Sequence, residues 1–191
     1  MSILGSIKAG AIDLVDGKDS ITVKKVHVAK PFVFNPVKPG NIIVLKEDAQ
    51  IDLDVTRYTA RTKGHRKRTY NATIKVFFKK GFCTDGATTA KIPIVKDKIR
   101  PYIEGDNVYN AGPFIHDGLY MLGGEIDGAV LSREESDDIL RGIWRESKKL
   151  SRSLAGVADK VIELAAGGEN HWGNGKKCEN AKHFSAKFTY I

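Results

Sequence analysis

Two stretches of strict two-residue alternation flank a segment in which alternation stops. In Gln50–Thr56, Ile51, Leu53 and Val55 fall on one side and Asp52 and Asp54 on the other. In Asn71–Phe78, Ile74, Val76 and Phe78 share a side, opposite Lys75 and Phe77. A period of two is the signature of a strand with one buried face. The intervening Arg57–Tyr70 has no apolar period and carries Arg57, Arg61, Lys63, Arg66, Lys67 and Arg68 without an acidic residue. The arrangement predicts a long antiparallel hairpin with a polar, basic tip. Further strand candidates precede it. Ser20–Val28 alternates with one break at Lys24-Lys25, as a bulged strand does. Pro31–Phe34 and Asn41–Lys46 are short apolar runs separated by the turn formers Pro36 and Pro39-Gly40.

The period then changes. Pro113 suits the first turn of a helix running to about Leu122, with Gly123-Gly124 as its stop. Ser132-Arg-Glu-Glu135 has the spacing of a capping box, in which serine and glutamate each satisfy the other's exposed backbone N–H. Beyond it, Ser136, Ile139, Leu140, Ile143 and Trp144 form one helical face. A third helix is expected over about Ser153–Ala166, ended by Gly167-Gly168. His183–Ile191 alternates at Phe184, Ala186, Phe188 and Tyr190 and predicts a closing strand.

The expected class is therefore α+β: an N-terminal antiparallel β part with a long basic hairpin, then a three-helix part and a C-terminal strand. Residues 1–45 are expected to form an N-terminal arm and β extension that makes assembly contacts, and residues 46–191 the main domain. Within the extension, Met1–Asp19 has scattered apolar residues and no long period, so it suits an arm lying on another chain.

At 191 residues and 41% apolar content the chain can build a core, and no window approaches a membrane span. Met1–Lys8 is too short and polar for a signal peptide, so export by a cleaved signal is not expected. Cys83 and Cys178 are too few for a disulfide framework. The net charge of +8 is uneven. Residues 1–100 hold 20 Lys/Arg against 9 Asp/Glu, and the remainder 11 against 14. The basic half suggests an acidic partner: nucleic acid, a membrane surface or an acidic protein face.

The densest chemistry lies at His116-Asp117-Gly-Leu-Tyr120. His116 and Tyr120 are one turn apart and share a helix face. If the next helix packs antiparallel, Asp137, or failing it Asp138, reaches His116 and fixes its tautomer. The second ring nitrogen is then a candidate general base, with Tyr120 beside it. The same residues also suit a buried polar network that orders the helix pair. Asp117, and Asp85 in the turn Thr84-Asp-Gly-Ala87, are candidate ligands for a hard cation. Tyr58 and Tyr70 flank the basic segment and offer rings to nucleic-acid bases.

Gly81-Phe82, Thr84-Asp-Gly-Ala87, His116-Asp117 with Leu119-Tyr120, Ser132–Asp137 and the ending Gly167, Gly168, Trp172 resemble a small domain family of unknown function common in tailed phages and prophages. Its pattern is roughly G-F-x-T-D-G-A-S, H-D-x-L-Y and A-D, matched over about residues 50–175. Thr88 stands for the usual serine and Ser136 for alanine. The His116 helix is also distantly similar to the H-D-x-x-Y helix of calcium-dependent secreted phospholipases, including that of parvovirus minor capsid proteins. That similarity implies His116 as base, Asp117 as calcium ligand and Asp137 as the orienting carboxylate. The chain lacks those enzymes' glycine-rich calcium loop and disulfides.

The resemblance implies a virion structural protein of the tail, baseplate or connector region, made in the host cytoplasm. It would be present in multiple copies and dock on other phage proteins through its arm and basic hairpin, with no cofactor. The alternatives are a calcium-assisted His-Asp phage hydrolase acting on envelope lipid or ester, and a nucleic-acid-binding accessory protein acting through residues 57–70.

Overall fold

The computed structural model describes residues 19–35, 42–59, 68–84, 102–147, 172–173 and 179–191. Four long strands form one antiparallel sheet: β1 (Ser20–Lys30), β3 (Ala49–Thr59), β4 (Arg68–Phe78) and β8 (Phe184–Tyr190), in the order β1-β3-β4-β8. The alternation sets the register. Val28, Ile51, Val76 and Ala186 line up across the sheet, as do Val26, Leu53, Ile74 and Phe188. A one-residue slip would turn this whole set to solvent. The break at Lys24-Lys25 is a register shift between Val23 and Lys25, so Lys24 is the bulged residue. β1 pairs with β3 along its length and packs on the second helix, so the N-terminal segment from Ser20 is part of the main sheet.

Two helices cover the apolar face: α1 (Asn107–Leu122) and α2 (Arg133–Glu146). Their contacts run antiparallel. Tyr109 meets Trp144, His116 meets Asp137, and Tyr120 meets Arg133. Close approach is permitted by glycine. A Cβ on Gly142 would lie 2.6 Å from Val23 Cβ, and one on Gly118 would lie 2.3 Å from the Phe184 ring. Phe32, Phe78, Phe82, Phe114 and Phe184 interlock beneath α1 at ring separations near those of edge and tilted pairs. Full burial of each such ring contributes roughly 1.5–3 kcal/mol.

Smaller elements close the periphery. β2 (Ile43–Val44) pairs with β5 (Cys83–Thr84). Asn180, in a 3₁₀ turn over Glu179–His183, binds both the N–H and the carbonyl of Cys83, at 2.8 Å each, as a neighbouring strand would. β6 (Glu125–Ile126) and β7 (Ala129–Val130) form a hairpin. Its Asp127 bonds Ala186 and Phe188 and so shields the free edge of β8.

The three-helix second half is corrected. Among the described residues the fold is mostly sheet, 46% strand against 30% helix, with two α-helices. The helix expected over Ser153–Ala166 lies outside them. A hairpin and a 3₁₀ turn also occupy parts of the second half. α1 begins earlier than Pro113. Asp106 caps it by accepting from the Tyr109 N–H at 2.9 Å, which places Pro113 in the helix interior. No helix among the described residues is long and apolar enough to cross a membrane.

Candidate functional site

Three elements bring the site together. α1 projects His116, Asp117 and Tyr120. α2, started by Ser132, projects Asp137 one turn in. The β2–β5 pair carries Thr84 up to α1. The capping box that sets the phase of α2 is complete: Glu135 N–H donates to Ser132 Oγ at 3.1 Å, and Ser132 N–H donates to Glu135 Oε2 at 2.8 Å.

His116 Nε2 lies 2.9 Å from Asp137 Oδ1, and the Tyr120 hydroxyl donates to the same oxygen at 2.9 Å. Arg133 Nε donates to the Tyr120 hydroxyl at 3.1 Å. The His116 and Tyr120 rings sit 4.2 Å apart, and the Tyr120 and Trp172 rings meet edge to face at 4.9 Å. On the other side, His116 Nδ1 faces Asp117 Oδ1 at 3.8 Å. Asp117 Oδ2 accepts from the buried Thr84 hydroxyl. The network is thus a chain: Thr84, Asp117, His116, Asp137, Tyr120, Arg133.

Its electrostatics favour the imidazolium. Burial alone pulls the His116 pKa down, but the nearby carboxylates of Asp117 and Asp137 outweigh it and hold the ring above its ordinary value. Burial, and then the charge of Asp137, push the Tyr120 phenol well above its ordinary value, so it stays a donor.

The expected dyad is therefore present, with Asp137 as its carboxylate. Asp138 turns elsewhere, accepting from the Ile21 N–H at 3.1 Å and from Arg141 at 2.9 Å. Asp117 is engaged by Thr84 and His116, and Asp85 lies outside the described residues. Among the described residues no group of three or more His, Cys, Asp or Glu side chains is placed to hold a metal ion.

The basic residues divide. Arg57 is buried: Nε donates to Glu135 Oε1 at 2.7 Å, and Nη2 donates to Glu135 Oε2 at 3.0 Å and to the Val130 carbonyl at 2.9 Å. Its guanidinium is held inside the fold and is not presented to a partner. Arg68 is exposed at the start of β4, with Nη1 at 3.5 Å from the Tyr70 hydroxyl. Arg61, Lys63, Arg66 and Lys67 lie outside the described residues.

Sequence reasoning missed Thr84, Arg133, Glu135 and Trp172 as members of these networks. A signal existed for all four, since each stands in the motifs that carry the family resemblance, and Glu135 is also the capping-box residue. Comparison of the chain with family models, with curated proteins and with solved structures finds no match.

Proposed function

We propose that this chain is a structural protein of a tailed-phage particle, in its tail, baseplate or connector region. It would dock on acidic faces of other phage proteins through its N-terminal arm and the basic segment from Arg61 to Arg68. The observation that carries the non-catalytic reading is the closure of the His116 network. The imidazole lies between two carboxylates, and each carboxylate has a second donor in Thr84 or Tyr120. A histidine facing a carboxylate on each side in this way ties β5, α1 and α2 together, and neither ring nitrogen is left open to act as a general base. The phage assignment rests on the order and content of the motifs from Gly81 to Trp172. Mass spectrometry of purified particles from the genome that encodes the chain is expected to find it in a fixed number of copies per virion. Its absence from particles would refute the assignment.

One observation favours the hydrolase alternative. His116 Nε2 and Asp137 are 2.9 Å apart while the imidazole side chain keeps 17% of its exposure. In that reading Asp137 orients the ring, and Nδ1 takes a proton from water once Asp117 has turned away. Calcium-dependent release of fatty acid from phospholipid vesicles, lost in His116→Gln with the melting curve still cooperative, would establish it.

A further inference from the structure

The helices cover one face of the sheet. Among the described residues, the opposite face carries an exposed aromatic ring flanked by lysines. Phe77 is 40% exposed. It stands on β4 between cross-strand neighbours Gln50 and Ser185, which offer only polar groups. Lys75 stands two residues before it on β4, and Lys79 just past the strand's end; both are exposed. Lys79 extends the ladder through its N–H to the His183 carbonyl at 2.8 Å, which keeps it on the face of Phe77. Lys187 lies across from Lys75 on β8, and Lys30 across from Gln50 on β1.

Four exposed lysines, Lys30, Lys75, Lys79 and Lys187, outnumber the two acidic residues nearest them. Asp52 lies across from Lys75 and accepts from Gln50 Nε2 at 3.0 Å, and Asp127 meets Lys187 at 3.6 Å with both side chains more than half exposed. A surface pair that open is worth little and is screened by salt. The patch is therefore a basic frame around a ring, built on a rigid antiparallel sheet.

We propose that this face binds single-stranded nucleic acid, with a base stacked on Phe77 and the flanking phosphates on Lys75, Lys79 and Lys187. Charge complementarity selects a polyanion. The ring selects among polyanions. The face of a phenyl ring is electron-rich, so the carboxylates of an acidic protein gain nothing from it, whereas every base has a π-face that stacks. A duplex is disfavoured because its bases are already stacked on one another and out of reach of a ring standing on a sheet. Sheet-borne aromatics with basic neighbours are a recurring platform for unpaired bases. This goes beyond the structural assignment and does not depend on it. A chain found in particles can fail to bind, and one absent from them can bind.

The test is fluorescence anisotropy with a labelled oligothymidylate of about 12 nucleotides, in roughly 50 mM salt and upward. The wild-type chain is expected to bind with affinity falling steeply as salt rises. Phe77→Ala is expected to weaken binding about tenfold or more, and Phe77→Trp to retain it. The pair Lys75→Ala and Lys187→Ala is expected to flatten the log–log salt slope by about 0.7 per lysine. These side chains are exposed, so an unchanged melting temperature shows that the variants fold. Failure of the wild type to bind at low salt overturns the proposal. So does binding indifferent to Phe77 and Lys75 but lost when Arg66, Lys67 and Arg68 become alanine. Equal competition by polyglutamate together with indifference to Phe77→Ala would assign the face to an acidic protein instead, and the proposal would again fall.

Discussion

Trp144 donates its indole N–H to the carbonyl of Tyr109 at 3.3 Å. In an uninterrupted helix that carbonyl would accept from the residue four positions on, but that residue is Pro113, which has no N–H. The indole of α2 thus satisfies the acceptor that the proline of α1 leaves open, and the Tyr109 and Trp144 rings stack with centroids 5.6 Å apart. Trp144→Phe is expected to cost about 1–3 kcal/mol, the cost of leaving a buried carbonyl unpaired. The loss should shrink in a Pro113→Ala background, where the substituted alanine supplies the missing N–H. A double-mutant cycle by urea denaturation measures the coupling. Additive effects would show that the indole acts by packing alone.

The Arg57–Glu135 pair ties the basic hairpin to the start of α2. It is fully desolvated at Glu135, and Arg57 also lies 5.7 Å from the centre of the Phe188 ring. Arg57→Met is expected to destabilise the fold by roughly 3–5 kcal/mol, because it strands a buried carboxylate. Arg57→Met with Glu135→Gln should be milder, since the amide can still accept from Ser132 N–H. Thermal melts of the two variants rank them.

Stability should also depend on His116. Its pKa is raised on folding, so across the window from 6.5 up to the folded value the native state holds a proton the unfolded chain releases. The contribution is complete below pH 6.5 and is lost as pH rises through the folded value. Urea midpoints across this window are expected to fall with pH in the wild type and to flatten in His116→Gln. An unchanged slope in His116→Gln would mean that the proton is bound elsewhere.

Gly118 sits inside the H-D-G-L-Y stretch for a packing reason. A methyl group there would meet the Phe184 ring at 2.3 Å. Gly118→Ala is expected to cost about 1–3 kcal/mol by overpacking, with partial rescue by Phe184→Leu. Retention of full stability in the single variant would show that α1 can lift off β8 without penalty.

The sheet was legible because one face is buried and the other wet, so side-chain identity alternates with the pleat. The bulge at Lys24 and the cap at Ser132 were readable for the same local reason: spacing along one element fixes each. The reach of His116 to Asp137 needed one assumption more, that two consecutive helices pack antiparallel. What escaped depends on partners distant in sequence. Arg57 reads as part of a solvated basic run, yet it continues the inward series Ile51, Leu53, Val55. The carboxylate of Glu135, 78 residues later, supplies the opposite charge that makes that burial tolerable. The start of α1 was hidden because Pro113 normally marks a first turn, and its cost to an interior turn is offset by Trp144 from another helix. The hairpin that shields β8 and the Asn180 clamp on Cys83 are too short to have a period at all.

The sheet order sets a timetable for the chain. β3 and β4 are joined by a short connection and β1 lies just before them, so these three strands can meet soon after they are made. β8 must pair with β4 across more than a hundred residues, as Phe188 does with Ile74. Closing so long a loop is entropically costly and slow. Until β8 arrives, the outer edge of β4 is unpaired and the ring of Phe184 is missing from beneath α1. During synthesis the nascent chain therefore carries an open, apolar strand edge for most of its length, and this is the stage at which it is most exposed to misassembly.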